Sequence, residues 1–166
     1  MRATIYLSGC PHHCPGCHNP DAQSPDFGQF IDTTLIHNIA HNIAIRPFLS
    51  GITLSGGDPF FNPSATYLFV CQLFANYYTD YIKINKAKKF PNLWIYTGYT
   101  WEELINKSDI YVKALIFLSN VLVDGPFLQQ YADKTLPFRG SSNQRIIDVR
   151  KSLKENKVIL FSKECL

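Results

Sequence analysis

Long apolar runs are missing from this chain: no stretch approaches the ~20 consecutive apolar residues that a membrane-spanning helix needs. A secretory leader is not expected either. Met1-Arg2-Ala3-Thr4-Ile5-Tyr6-Leu7 runs into a cysteine motif rather than a long apolar segment with a cleavage site. Charge of one sign is scarce, and a net charge of +3 over 166 residues is too small to point to nucleic acid or a membrane surface as a partner. No internal repeat, linker or low-complexity segment is visible. With 46% apolar and 17% charged residues, the composition excludes wholesale disorder. The length suits one domain with a core that needs no disulfide staples. The five cysteines are an odd count, and three are clustered too closely for an ordinary disulfide framework. A reducing cytoplasm is the expected location.

That cluster, Gly9-Cys10-Pro11-His12-His13-Cys14-Pro15-Gly16-Cys17-His18, carries the chemistry. Its spacing, C-x3-C-x2-C, lets three thiolates converge on one metal centre. Three readings compete: a structural zinc site completed by His12, His13 or His18, an iron–sulfur cluster with one iron left open, and unligated thiols. Histidine is available for zinc, but there is no second CxxC pair. A cluster of four irons on three cysteines would keep one iron free for another ligand.

The remaining chain alternates strand, loop and helix. Ala3 to Leu7 reads as a short buried strand. Pro11, Pro15, Pro20 and Pro25 exclude a regular helix through most of Ser8 to Phe27, a long irregular segment that a metal would order. Leu35, Ile36, Ile39, Ala40, Ile43 and Ala44 recur at helical spacing, with Thr33 or Thr34 as cap and an end before Pro47. His37 and His41 lie one turn apart there. Nothing else supports a metal pair, so they are read as surface residues. Gly51 to Leu54 is a second strand. Asn62-Pro63 starts a helix whose apolar face is read as Tyr67, Leu68, Val70, Cys71, Phe74 and Tyr78, with Cys71 as a small core residue. The basic stretch Lys83, Lys86, Lys88, Lys89 is expected to be a solvated loop or helix end, with partner docking as the alternative. Leu93 to Tyr96 and Val121 to Val123 are further strands, and Thr100 with Glu103 fits a capping box. Ile146 to Val149 reads as another strand, residues 151–156 as a turn before the apolar Val158 to Phe161, and Cys165 as inert.

This alternation predicts an α/β fold, a parallel sheet or partial barrel, in which ligands gather at the carboxyl ends of strands. The cysteine loop, Ser55 to Pro59, Thr97 to Tyr99 and Asp124 to Pro126 all fall there. In Ser55-Gly56-Gly57-Asp58 the paired glycines let the chain approach a ligand closely, and the exposed backbone of such a turn can grip an amine or carboxylate. An ordinary tight turn is the alternative.

Taken together, these stretches resemble the radical S-adenosylmethionine (SAM) superfamily. The cysteine motif and the Gly56-Gly57-Asp58-Pro59 loop carry that likeness. Within it, Trp94 to Tyr99, Val123-Asp124-Gly125 and Arg139-Gly140-Ser141-Ser142-Asn143-Gln144-Arg145 resemble the activating enzymes of anaerobic (class III) ribonucleoside-triphosphate reductases. The resemblance implies one radical SAM domain over residues 1–166, a partial (β/α) barrel of mostly parallel strands with a short amino-terminal lead-in. It further implies a 4Fe-4S cluster on Cys10, Cys14 and Cys17 and S-adenosylmethionine on the open iron. Gly56, Gly57 and Asp58 would hold the methionine amine, with Gly16, Cys17 and His18 beside the ligand. His12, His13 and His18 then become neighbours rather than ligands.

The implied activity is reductive cleavage to a 5′-deoxyadenosyl radical, which takes a hydrogen from a glycine of the reductase large subunit and leaves a glycyl radical. An electron donor such as flavodoxin would be needed, and no side chain need act as acid or base. Two features depart from the wider superfamily: the lead-in before Cys10 is short, and Gly16 stands where many members place an aromatic residue. A small-molecule enzyme such as a 7-carboxy-7-deazaguanine synthase would share the cysteine and Gly56-Gly57 loops but not Arg139 to Arg145. A zinc-stabilised binding module is the alternative from another class.

Overall fold

Four runs rich in β-branched and aromatic residues pair side by side in the order in which the chain presents them. The computed structural model describes residues 1–84 and 91–162, with side chains of 81–84 set aside. Strands β1 (Arg2–Leu7), β2 (Gly51–Gly56), β3 (Asn92–Tyr96) and β4 (Val121–Asp124) are parallel neighbours, and β5 (Arg145–Asp148) runs antiparallel to β4. The fold is therefore α/β on a mostly parallel sheet. The predicted strands are all present, although β1 is an edge strand of half-buried and exposed residues rather than a buried one, and Val149 leaves the last strand to open a helix.

Helices α1 (Thr33–Ala44), α2 (Pro63–Ile84), α3 (Trp101–Asn106), α4 (Ile110–Leu118) and α5 (Val149–Glu155) complete the fold. A sheet wound steadily in one direction through crossovers of one hand puts its helices on one face. Ile52, Leu54, Leu93, Ile95, Leu122 and Ile147 alternate onto that face and join Ile36, Ala40, Leu73, Tyr77, Leu104 and Leu115 of the helices in one core. The opposite face is covered near β3 and β4, where Phe138 and Phe161 stand edge-on to Trp94 at 5.2 and 5.4 Å. It is open at β1, where Thr4 and Tyr6 are exposed.

Four local readings are corrected. The cap of α1 is Asp32, not Thr33 or Thr34: its carboxylate accepts the Leu35 amide at 2.7 Å. Residues 151–156 are not a turn. Asp148 caps α5 by accepting the Lys151 amide at 3.0 Å, Val149 and Ser152 are buried, and Asn156 ends the helix in the left-handed conformation at φ 50°. The buried side of α2 is Thr66, Phe69, Val70, Leu73 and Tyr77, while Leu68 and Tyr78 are exposed. This helix is apolar nearly all round, so periodicity could not select the stripe that meets α1 and α4. Cys71 is half-buried and hydrogen-bonded to Tyr67, not a core residue. His37 and His41 are exposed as expected and face α2, near Asn76 at 3.3 Å and Asp80 at 3.2 Å. Lys86, Lys88, Lys89 and Cys165 lie outside the described residues.

Candidate functional site

The loops after β1, β2, β3 and β4 meet at one end of the sheet, because parallel strands deliver all their carboxyl ends to the same side. The cysteine loop contains only one turn of 3-10 helix, Asp21–Gln23, and is held instead by backbone bonds. Gly9 and Cys10 donate to Ala22 and Gln23 carbonyls at 2.8 and 3.1 Å, and the Gly57 and Asp58 amides donate to Leu7 and Gly9 at 2.7 and 2.8 Å. Two chains this close leave no room for side chains. A Cβ on Gly57 would meet the Gly9 carbonyl oxygen and come within 2.7 Å of that of Ala22, and one on Gly56, whose φ is +101°, would lie 2.5 Å from the Leu7 oxygen. The glycine pair is thus required by the fit of the two loops.

Asp58 is the hub of the site and is 2% exposed. Its carboxylate accepts the Phe60 amide at 2.8 Å, the Thr97 hydroxyl at 2.9 and 3.1 Å, and the Gly98 amide at 2.9 Å. His12 Nε2 lies 2.8 Å from Oδ2, and because a carboxylate can only accept, that nitrogen carries the proton. Both oxygens are committed to protein donors, and the backbone amide and carbonyl of Asp58 pair with the Gly9 carbonyl and the Phe61 amide, each at 2.8 Å. The interaction with His12 joins the loops after β1 and β2 and was not legible in sequence. Both residues were singled out there, but nothing local pairs positions 46 residues apart.

The other end of the motif meets the segment after β4. Phe127 packs against His18 with ring centroids 5.5 Å apart, and Gln129 lies 3.1 Å from where a Gly16 Cβ would stand. Arg139 to Arg145 knits this segment together. Gln144 accepts the Gly140 and Ser141 amides at 2.9 and 3.2 Å and donates to Gly125 at 3.1 Å, and Ser141 is fully buried. Arg145 closes the β4 end, donating to buried Asp124 at 2.5 and 3.0 Å and to Glu102 at 2.7 and 3.1 Å. Those carboxylates raise the Arg145 pKa and the guanidinium lowers that of Glu102. Thr97, Asp124 and the Arg139 to Arg145 stretch therefore have structural partners that hold the strand ends in place.

Residues 1–147 match the model of a family described as a 4Fe-4S single cluster domain. An anaerobic ribonucleoside-triphosphate reductase-activating protein of Escherichia coli (strain K12) is 34% identical over 154 residues, covering 90% of this chain and 89% of that protein. Proteins so named from Haemophilus influenzae and Vibrio cholerae serotype O1 are 34% and 36% identical, each alignment covering 87% of this chain and 86% of the relative. The chain belongs to this family. No solved structure matches it.

For this member of the activating-protein family, the donor set can be weighed against the metals considered from sequence. Cys10, Cys14 and Cys17 are free and half-buried on one loop. Burial first, and then Asp58 and the other two cysteines, push the Cys10 thiol pKa up. The Cys17 amide donates to the Cys14 carbonyl at 3.2 Å, and the Asn19 amide donates to Cys17 Sγ at 3.4 Å, the kind of contact that stabilises a ligating thiolate. Among the described residues, no three His, Cys, Asp or Glu side chains are grouped to hold a single ion. The motif histidines have other partners: Asp58 for His12, Gln23 at 3.1 Å for His13, and Phe127 for His18. Three free thiols on one loop are donors of the kind that an iron–sulfur cluster takes.

Proposed function

We propose that this chain activates an anaerobic ribonucleoside-triphosphate reductase, using S-adenosylmethionine at a 4Fe-4S cluster on Cys10, Cys14 and Cys17. The observation that carries the reading is the lock between the Gly56-Gly57-Asp58 turn and the loop that bears the three free thiols, made by the Gly57 and Asp58 amides on Leu7 and Gly9. Such a cluster would supply one electron for cleavage of S-adenosylmethionine to methionine and a 5′-deoxyadenosyl radical, which would take hydrogen from a glycine of the reductase.

The protein's part is to position and to shield. Cys10, Cys14 and Cys17 would hold three irons and leave the fourth for the amino and carboxylate groups of S-adenosylmethionine. The Gly57 and Asp58 amides already serve Leu7 and Gly9, and the Asp58 carbonyl accepts the Phe61 amide at 2.8 Å, so the Gly57 carbonyl is the acceptor this turn would offer an ammonium group. Gly16, Cys17 and His18, backed by Gln129 and Phe127, would lie beside the rest of the ligand. In this reading the sheet serves as the strand set of a partial barrel of radical SAM type in one domain, and a donor such as flavodoxin supplies electrons.

Anaerobic reconstitution tests the reading. The expected result is a brown protein with about four irons and four sulfides per chain. It cleaves S-adenosylmethionine and raises a glycyl radical signal on the reductase, and Cys14→Ala does neither. Colourless protein with one zinc per chain would overturn the cluster assignment. Cofactor cleavage without any radical on the reductase would overturn the partner.

A further inference from the structure

We propose that His12 is a positioning residue that couples the cluster-bearing loop to the turn receiving S-adenosylmethionine. The inference rests on the function proposed above and goes beyond it, since His12 is neither a ligand of iron nor within the Gly56-Gly57-Asp58 turn. Its side chain is 17% exposed and fixed on three sides. Nε2 donates to Asp58 Oδ2 at 2.8 Å, the ring stands edge-on to Tyr99 at 4.5 Å between centroids, and its Cγ lies 2.6 Å from where a Cβ on Gly98 would be. The imidazole therefore fills the gap that Gly98 leaves and joins the arm between Cys10 and Cys14 to both the β2 and β3 loops.

Among the described residues, the segment from Pro11 to His13 makes no backbone hydrogen bond to another loop, and His13 itself takes a positive φ of 47°. The ring of His12 is what registers this arm against Asp58. A donor at the Nε2 position and a flat group against Tyr99 are separable requirements, so three substitutions divide them. His12→Gln keeps an N–H near the Nε2 position, His12→Phe keeps the ring without a donor, and His12→Ala removes both. Residues that orient metal-site groups through hydrogen bonds typically contribute 10- to 100-fold to affinity or activity.

The test is titration of the reconstituted, reduced protein with S-adenosylmethionine, followed by the change in the cluster's electron paramagnetic resonance spectrum, with iron content measured alongside. The expected result is wild-type iron in all three variants, affinity for S-adenosylmethionine weakened roughly 10-fold or more in His12→Phe and His12→Ala, and largely restored affinity in His12→Gln. A His12→Phe protein with wild-type affinity and spectrum would overturn the proposal. So would loss of iron to the same extent in His12→Gln and His12→Ala, which would make the residue a general support of the loop. A wild-type spectrum unaltered by S-adenosylmethionine would instead overturn the function on which the inference rests.

Discussion

Gly57→Ala is the most demanding test of the lock between the two loops. Its Cβ would meet the Gly9 carbonyl oxygen and lie 2.7 Å from that of Ala22. Both are backbone atoms, so no side-chain rotation relieves the contact. Bringing the Ala22 oxygen alone to an ordinary separation of 3.4 Å requires a movement of about 0.7 Å, and Gly9 must move further. That displacement strains the Asp58 to Gly9 and Gly9 to Ala22 hydrogen bonds, both 2.8 Å. Overpacking costs about 1–3 kcal/mol and each hydrogen bond about 1 kcal/mol, giving roughly 3–5 kcal/mol and a fall in Tm on the order of 10 °C. Urea and thermal unfolding of the reconstituted protein measure this, with 5′-deoxyadenosine yield followed in parallel and expected to collapse. Gly28→Ala is the control. Gly28 has φ +98° but nothing within 4 Å of its would-be Cβ, so only backbone strain of about 1–3 kcal/mol is expected, with cofactor cleavage per folded molecule unchanged. A Gly57→Ala protein with wild-type stability and cleavage would refute the reasoning.

Asp124→Ala removes the acceptor of the Trp101 amide and the buried partner of Arg145, and should cost about 3–5 kcal/mol in urea unfolding. Asp124→Asn, which keeps one oxygen, should cost less. Glu102 has a depressed pKa because Arg145 hydrogen-bonds it, so its contribution is full above the ordinary glutamate range and is lost as the pH falls through its folded pKa. Glu102 is exposed, so Glu102→Gln should destabilise by no more than about 1 kcal/mol at neutral pH. That difference should shrink as the pH falls below the ordinary glutamate range, as measured by denaturant midpoints. Thr100→Ala breaks the capping box of α3 and should cost about 1 kcal/mol while iron content stays at the wild-type value.

Much of the site was legible because its signals are local. Cysteine spacing, the glycine pair, Asn62-Pro63 and the Thr100–Glu103 box each act over a few residues, and each is found in the structure at the expected strand or helix end. The sequence was less informative about α2, where an almost continuous apolar surface gives no preferred stripe, and about residues 151–156, whose polar composition hid a helix capped by Asp148. The antiparallel course of β5 was also not apparent, since its direction follows from the 20 residues folded between it and β4.

The sequence by itself determined that three thiols would stand after a strand, that two glycines would follow the next, and that the intervening helices would return the chain to the same sheet end. Those are consequences of backbone propensity and spacing, which act within a turn or two. Only the tertiary structure decided why the glycines must be there and what Asp58 does. Gly57 is bare because the Gly9 and Ala22 carbonyls occupy its flank, and the Asp58 carboxylate is filled by donors from His12, Thr97 and Gly98. Such contacts depend on which strands become neighbours and in what register. The hydrophobic packing of the whole sheet settles that, and no single stretch of the chain carries it.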